Sequence, residues 1–202
     1  MPYETTILQA MQQITAQKSI AVLGIDGLGG AGKSTVSESI CAALRQQGLR
    51  TILLHIDDFI HVRAIRYNDS YPDWQCYYDL QWRYDYFREV IRALQETGRC
   101  KVELYDKDND CYFTEQAAAE GKTVIVVEGI FLQRRELAGV FDYMLYIDVP
   151  EDVRLQRVLK RDTYIGNEQQ IVDKYENRYF PAERRYAAAY RPDMAADLVI
   201  RE

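Results

Sequence analysis

The stretch Gly24-Ile25-Asp26-Gly27-Leu28-Gly29-Gly30-Ala31-Gly32-Lys33-Ser34-Thr35 decides the fold, and two glycine patterns overlap in it. Gly27, Gly29 and Gly32 match G-x-G-x-x-G, the dinucleotide fingerprint, and Asp57 closes the next apolar run about where a ribose-binding acid would stand. Gly27 through Ser34 also match G-x-x-x-x-G-K-[ST], whose lysine and hydroxyl have no role in the dinucleotide pattern. Those two residues favour the second reading. From Gly27 through Leu28, Gly29, Gly30, Ala31, Gly32, Lys33, Ser34 and Thr35, small residues let successive backbone N–H groups turn inward around phosphate oxygens. The positive end of the following helix reinforces the nest. Lys33 adds a point charge, and the Ser34 hydroxyl suits the octahedral shell of Mg²⁺, which takes few protein ligands. The expected ligand is a magnesium-bound nucleoside triphosphate.

Around this loop, short β-branched runs alternate with helical patterns. "SIAVLGID" before it is apolar on both faces, as a central parallel strand must be, and Val36, Ile40, Ala43 and Leu44 after it give a helix ending near Gly48. "RTILLHID", "KTVIVVEG" and "YMLYIDV" read as further strands, with "DLVI" as an edge strand near the end. Leu80, Tyr84, Phe87, Ile91 and Leu94 mark a long helix from Asp79 to Gly98, and Pro150 opens another with Glu151 and Asp152 in its first turn. At the front, Ile7, Leu8, Met11 and Ile14 share one helical face. The pattern predicts an α/β fold: a P-loop NTPase-like three-layer sandwich whose five-stranded, mostly parallel sheet is flanked by helices, with its ligand crevice at the strands' carboxyl ends. The 202 residues, 48% hydrophobic, suit one domain over 1–202, with an N-terminal helix (1–18), an acceptor-binding insertion (57–115) and a small lid (154–168).

Phosphoryl transfer needs a metal beside the γ-phosphate and a group that orients the nucleophile. Asp57 and Asp58 end one strand and Glu128 ends another, so all three are expected to face the crevice that holds Ser34. Asp57 or Asp58 capping a helix is the plainer alternative. In "DVRLQRVLKRD", Arg154, Arg157 and Arg161 recur at helical steps; Arg157 and Arg161 are expected to contact phosphate, whereas Arg154 is as easily part of a solvated, ion-paired face. "RDTYIGN" beyond, with Gly166, reads as a mobile lid. The segment "DDFIHVRAIRYNDSYPDWQCYYD" is dense in aromatic residues and arginines where an acceptor could sit, with Arg63 and Arg66 as candidate contacts and core packing as the alternative for its rings.

The order of phosphate loop, "DDF", "VEGI" and "DVPEDVRLQRVLKRD" resembles the uridine kinase family, within the uridine kinase and phosphoribulokinase group of P-loop kinases, over nearly all of the chain beyond the first helix. The resemblance implies an ATP-dependent kinase for a small hydroxylated metabolite, uridine or cytidine by family default. It implies that Asp57 is the general base, that Glu128 holds Mg²⁺ with Ser34, and that Asp73, six residues before Asp79, binds substrate. "VELYD" is similar to the family's "PxYD" strand, which would turn Tyr105 and Asp106 toward the substrate. The chain departs from the pattern twice: "YDKDNDCYF" lacks the family's histidine and arginine, and "YIGN" stands where the family has "ERGR". A kinase for another acceptor, such as a vitamin-like nucleoside or a sugar phosphate, stays open beside this reading. A nucleotide switch lacks an NKxD-like motif here, and an NAD-dependent oxidoreductase rests on G-x-G-x-x-G alone.

A net charge of −6 disfavours nucleic acid and acidic membranes as partners, so any bound anion needs local groups. The opening segment carries Glu4 early and no unbroken apolar run, so neither a signal peptide nor an anchor is expected; the location suggested is cytoplasmic. The four scattered cysteines suit reduced thiols. Homo-oligomerisation is left open.

Overall fold

The computed structural model describes residues 2–202; Met1, the first residue of the expected N-terminal helix, lies outside them. In chain order the elements are α1 (Pro2–Gln17), β1 (Ile20–Gly27), α2 (Lys33–Gln46), β2 (Arg50–His55), two short helical turns α3 (Arg63–Arg66) and α4 (Asp73–Gln75), α5 (Tyr84–Thr97), β3 (Arg99–Asp106), β4 (Cys111–Ala118), β5 (Thr123–Gly129), β6 (Tyr143–Asp148), α6 (Glu151–Arg161), α7 (Glu168–Lys174), α8 (Phe180–Tyr190), α9 (Pro192–Ala195) and β7 (Leu198–Arg201).

β1 is central because it has no polar face to offer water. It pairs in parallel with β5 (Ile20 opposite Thr123) on one side and with β6 (Leu23 opposite Tyr143) on the other. The five-stranded sheet runs β2-β5-β1-β6-β7, all parallel, as expected. Alternate residues point to opposite faces. Ala21, Leu23, Ile25, Val124 and Val126 pack with Ile7 and Met11 of α1 and Ile40 and Leu44 of α2, whereas Val22, Ile125 and Val127 face the layer built around α5. Both sheet faces are therefore covered, which is why the strands read as unbroken apolar runs.

The strand order also decides between the two glycine patterns. In a dinucleotide-binding sheet the second strand lies beside the first. Here β5 is inserted between β1 and β2, so Asp57 is carried one strand away from the position a ribose-binding acid needs.

One expectation changes. The long helix begins at Tyr84 rather than Asp79, because Trp82 pairs backbone to backbone with Ile60, Arg83 N–H donates to the Phe59 carbonyl, and the preceding residues Cys76–Leu80 form a π-helical turn. "VELYD" is the first strand of a separate antiparallel hairpin: β3 pairs with β4 from Arg99 opposite Ala118 to Asp106 opposite Cys111. The expected edge strand is present as β7 beside β6. Cys41, Cys76, Cys100 and Cys111 are free thiols. Among the described residues no helix is long and apolar enough to cross a membrane.

Candidate active site

β1 ends in the glycine loop, and α2 begins at Lys33 with Gly32 as its N-cap in the left-handed region (φ 89°). Gly30 is fixed for two reasons: its φ is 82°, and a Cβ there would stand 2.9 Å from the Arg154 carbonyl of α6. The loop is braced from below and from the side. Buried Asp26 accepts from the Gly27 N–H (2.8 Å), Gln133 Nε2 (3.0 Å) and the Tyr186 hydroxyl (2.5 Å); burial raises its pKa against those bonds. Glu183, on α8, accepts from the Gly29 N–H (2.9 Å) and from Arg154 Nη1 (2.7 Å), while the same Arg154 nitrogen donates to the Gly29 carbonyl (3.0 Å). Lys33 Nζ folds back on the Leu28 carbonyl at 3.2 Å.

The strand-end acids converge as the topology requires. Glu128, closing β5, accepts from Ser34 Oγ at 3.3 Å and lies 2.6 Å from His55 Nδ1. Burial pushes Glu128 up, but the His55 hydrogen bond, Lys33 and Ser34 outweigh it and hold the carboxyl below its usual range. The Glu128 bond raises His55 correspondingly. Asp57 and Asp58 lie in a 3₁₀ turn directly after β2. Asp57 is open to water on its cavity side yet crowded by protein on the others. That crowding, with the Glu128 and Asp58 charges, raises its pKa, while Lys33 opposes the rise. Asp58 is also raised, mainly by desolvation.

A cavity of about 660 Å³ opens beside Lys33, Asp57 and Asp58, and its wall also includes Gly29, Tyr105 and Arg161, whereas Ser34 and Glu128 are not on that wall. Arg161 is held by Asp162 (2.6 Å), which also accepts from the Tyr175 hydroxyl (2.6 Å). Four expectations are corrected by the geometry. Arg157 is not on the wall: its guanidinium is taken by Glu202 (2.5 Å) and by the Gly30 carbonyl (3.4 Å). Arg63 is not on the wall, its Nη2 donating to the carbonyl of Lys107, which is. Asp73 stands off the wall and pairs with Arg178 (2.6 Å), a residue that does line it. Arg154 belongs to no solvated face, since it is buried under the glycine loop. The sequence reading passed over His55, Glu183, Arg178, Tyr175 and Tyr179 altogether. The last four come from the segment 168–190, where a capping box at Asn167 and Gln170 was the available signal for a helix.

The donor set fits a magnesium ion. Ser34 Oγ and Glu128 Oε1 are hard oxygen donors a hydrogen bond apart, and Mg²⁺ bound with a triphosphate takes only one or two protein ligands. Among the described residues no group of three His, Cys, Asp or Glu side chains forms a cage that would hold a metal by itself.

A parallel sheet with β5 inserted beside β1, a glycine nest carrying Lys33 and Ser34, and Asp57 and Asp58 on one cavity wall with Lys33 define a P-loop kinase. The phosphoribulokinase/uridine kinase family model matches residues 22–201, and the chain belongs to that family. It is 27% identical over 188 residues to the uridine kinase of Staphylococcus haemolyticus, covering 88% of this chain and 90% of that one. The uridine kinase of Bacillus velezensis is 28% identical over 201 residues, 91% of this chain and 93% of that one. A solved structure described as a possible uridine kinase from Bacillus stearothermophilus superposes with a TM-score of 0.76 at 28% identity, covering 96% of this chain and 99% of that one.

Proposed function

We propose that this protein transfers the γ-phosphoryl group of Mg-ATP to a hydroxyl of a small metabolite, in the cytoplasm. The observation that carries the reading is the meeting of Lys33 and Asp57 on one cavity wall, with the Ser34–Glu128 pair beside them. Asp57 takes the proton of the acceptor hydroxyl as its oxygen bonds to the γ-phosphorus and the bond to the β-phosphate oxygen breaks, leaving ADP. A carboxylate raised above its usual range suits that task better than one pinned in a tight ion pair. Lys33, the loop amides and Arg161 stabilise charge on the phosphoryl oxygens. Ser34 and Glu128 would hold Mg²⁺, which supplies charge neutralisation between the β- and γ-phosphates. The expected lid, 154–168, narrows to the segment 162–167, because residues up to Arg161 belong to α6; exposed Tyr164 in it lies on the cavity wall.

The relatives' names make uridine and cytidine the first acceptors to try. Tyr105 lines the cavity where an acceptor would lie, but neither the family's histidine and arginine after "YD" nor its lid arginines are available here. The test is ADP release from Mg-ATP with a panel of nucleosides and other hydroxylated metabolites. Acceptor-dependent release supports the reading. Acceptor-independent hydrolysis, or melting protection by NAD and not by Mg-ATP, overturns it.

A further inference from the structure

Resting on the kinase reading above, we propose that the acceptor carries an anionic group, a carboxylate or a phosphate, and that the guanidinium of Arg66 receives it on the cavity wall. Arg66 closes α3 and is only 9% exposed, yet it lines the cavity. Among the described residues four arginines are buried. Three have a carboxylate at hand: Arg134 with Glu136 (2.5 Å), Arg154 with Glu183 (2.7 Å) and Arg178 with Asp73 (2.6 Å). Among the described residues Arg66 has no ion pair, and its Nε is buried without a hydrogen-bond partner. A buried charge costs heavily unless it is paired, and a guanidinium cannot shed its proton.

What surrounds Arg66 compensates it only indirectly. Its Nη2 donates to the Tyr105 hydroxyl (2.8 Å), which donates in turn to Asp110 (2.8 Å), a carboxylate already accepting the Arg63 N–H (2.8 Å). The guanidinium lies over the rings of Tyr67 (5.0 Å) and Tyr105 (5.1 Å), and Arg178 covers Tyr67 at 4.4 Å. Stacking fixes the fork in place, and Asp110 answers its charge through the Tyr105 hydroxyl rather than by direct contact. Asp106 shares the wall, but it is committed to the hairpin turn, accepting from the backbone N–H groups of Asp108 and Asn109 and from Asn109 Nδ2. Its Nε is shut off from the cavity, so the two Nη nitrogens of Arg66 form the edge that would meet a carboxylate or phosphate. Tyr67, 43% exposed, offers an apolar surface beside it.

The experiment follows melting temperature in wild type, R66M and R66K, first with saturating Mg·AMP-PNP to fill the phosphate loop. Matched acceptors are then added: ribose 5-phosphate against ribose, glycerate against glycerol, and uridine. In wild type an anionic member should add several °C beyond the nucleotide shift at about 100 times its Kd. R66M should lose that increment while keeping the nucleotide shift, and R66K should retain part of it. With the best acceptor, ADP release by R66M should show KM raised about 10–100-fold, the usual size for a lost charge-assisted hydrogen bond, and kcat changed far less. The phosphate and carboxylate arms tell the two sources of negative charge apart. Neutral acceptors performing as well as their charged partners, or an increment that survives in R66M, overturn the proposal. A nucleotide shift that weakens in R66M also overturns it, by assigning Arg66 to the donor. Absence of any Mg·AMP-PNP shift in wild type overturns instead the kinase reading beneath it.

Discussion

Replacing Glu183 with alanine tests whether the glycine loop is held in its phosphate-binding form by a buried ion pair or by its own backbone preferences. Both partners of the Glu183–Arg154 pair have 3% or less side-chain exposure. Burial raises the Glu183 pKa even with Arg154 beside it, so desolvation offsets most of what the pairing contributes. Removing one partner is therefore far worse than removing both. E183A leaves Arg154 buried and uncompensated, and breaking such a pair costs about 3–5 kcal/mol. For a chain of this length that corresponds to roughly 6–20 °C in Tm, at about 2–4 °C per kcal/mol. The double variant R154M/E183L, which puts apolar groups at both positions, should recover most of the stability.

Loop function should not recover with it. The pair holds both polar groups of Gly29, its N–H through Glu183 and its carbonyl through Arg154, so the double variant frees the loop in a refolded protein. Urea unfolding gives the stability cycle, and titration with Mg-ATP gives the affinity. The expectation is near-normal stability with a weakened Mg-ATP Kd in the double variant. E183A within about 1 kcal/mol of wild type, a loss far below that of a broken buried pair, refutes the energetic argument. An unchanged Kd in the stable double variant refutes the bracing role.

Three further outcomes are expected. K33A should bind Mg-ATP weakly and show no turnover by ADP release, since a charge-assisted contact to the phosphates is gone. D57N should lower kcat by about 10²–10⁴ while Mg-ATP still protects against melting, as for loss of a general base; an intact rate reassigns the base. For pH, His61 has its pKa lowered by burial and by Arg83, so the unfolded chain binds this proton more readily than the folded one. Stability should then fall as pH drops below the unfolded value of about 6.5. H61N should flatten that part of the curve in urea unfolding from pH 7.5 to 5. The His55 contribution has the opposite sign, because its folded pKa is raised, and the wild-type minus H61N difference cancels it.

The donor side of the cavity was legible because its parts are local or are dictated by topology. A single motif supplies Gly27 to Ser34, and in a parallel sheet the residues closing neighbouring strands must arrive at one edge, which brings Glu128 within 3.3 Å of Ser34 across 94 positions of sequence. Arg157 was misjudged because helical spacing tells which residues share a face and not which carboxylate reaches them first. Glu202, at the end of the chain, takes that guanidinium.

The side of the cavity proposed for the acceptor hid for a different physical reason. Two π-helical turns, Cys76–Leu80 and Tyr175–Tyr179, place Tyr77, Tyr175, Arg178 and Tyr179 on its wall. Each widens its helix by a residue per turn, which breaks the 3.6-residue spacing that reveals an ordinary buried face. They meet through Tyr77 and Tyr179, whose rings stand 4.9 Å apart, and through Arg178, which reaches back to Asp73 and Gln81. Each turn supplies half of a surface that neither forms alone, so the periodicity of one segment says nothing of its partner a hundred residues away. Charge pairing is the feature that survives this loss of period. Once the buried arginines among the described residues are matched to their carboxylates, Arg66 is left without an ion pair, which is the observation behind the proposed anionic acceptor.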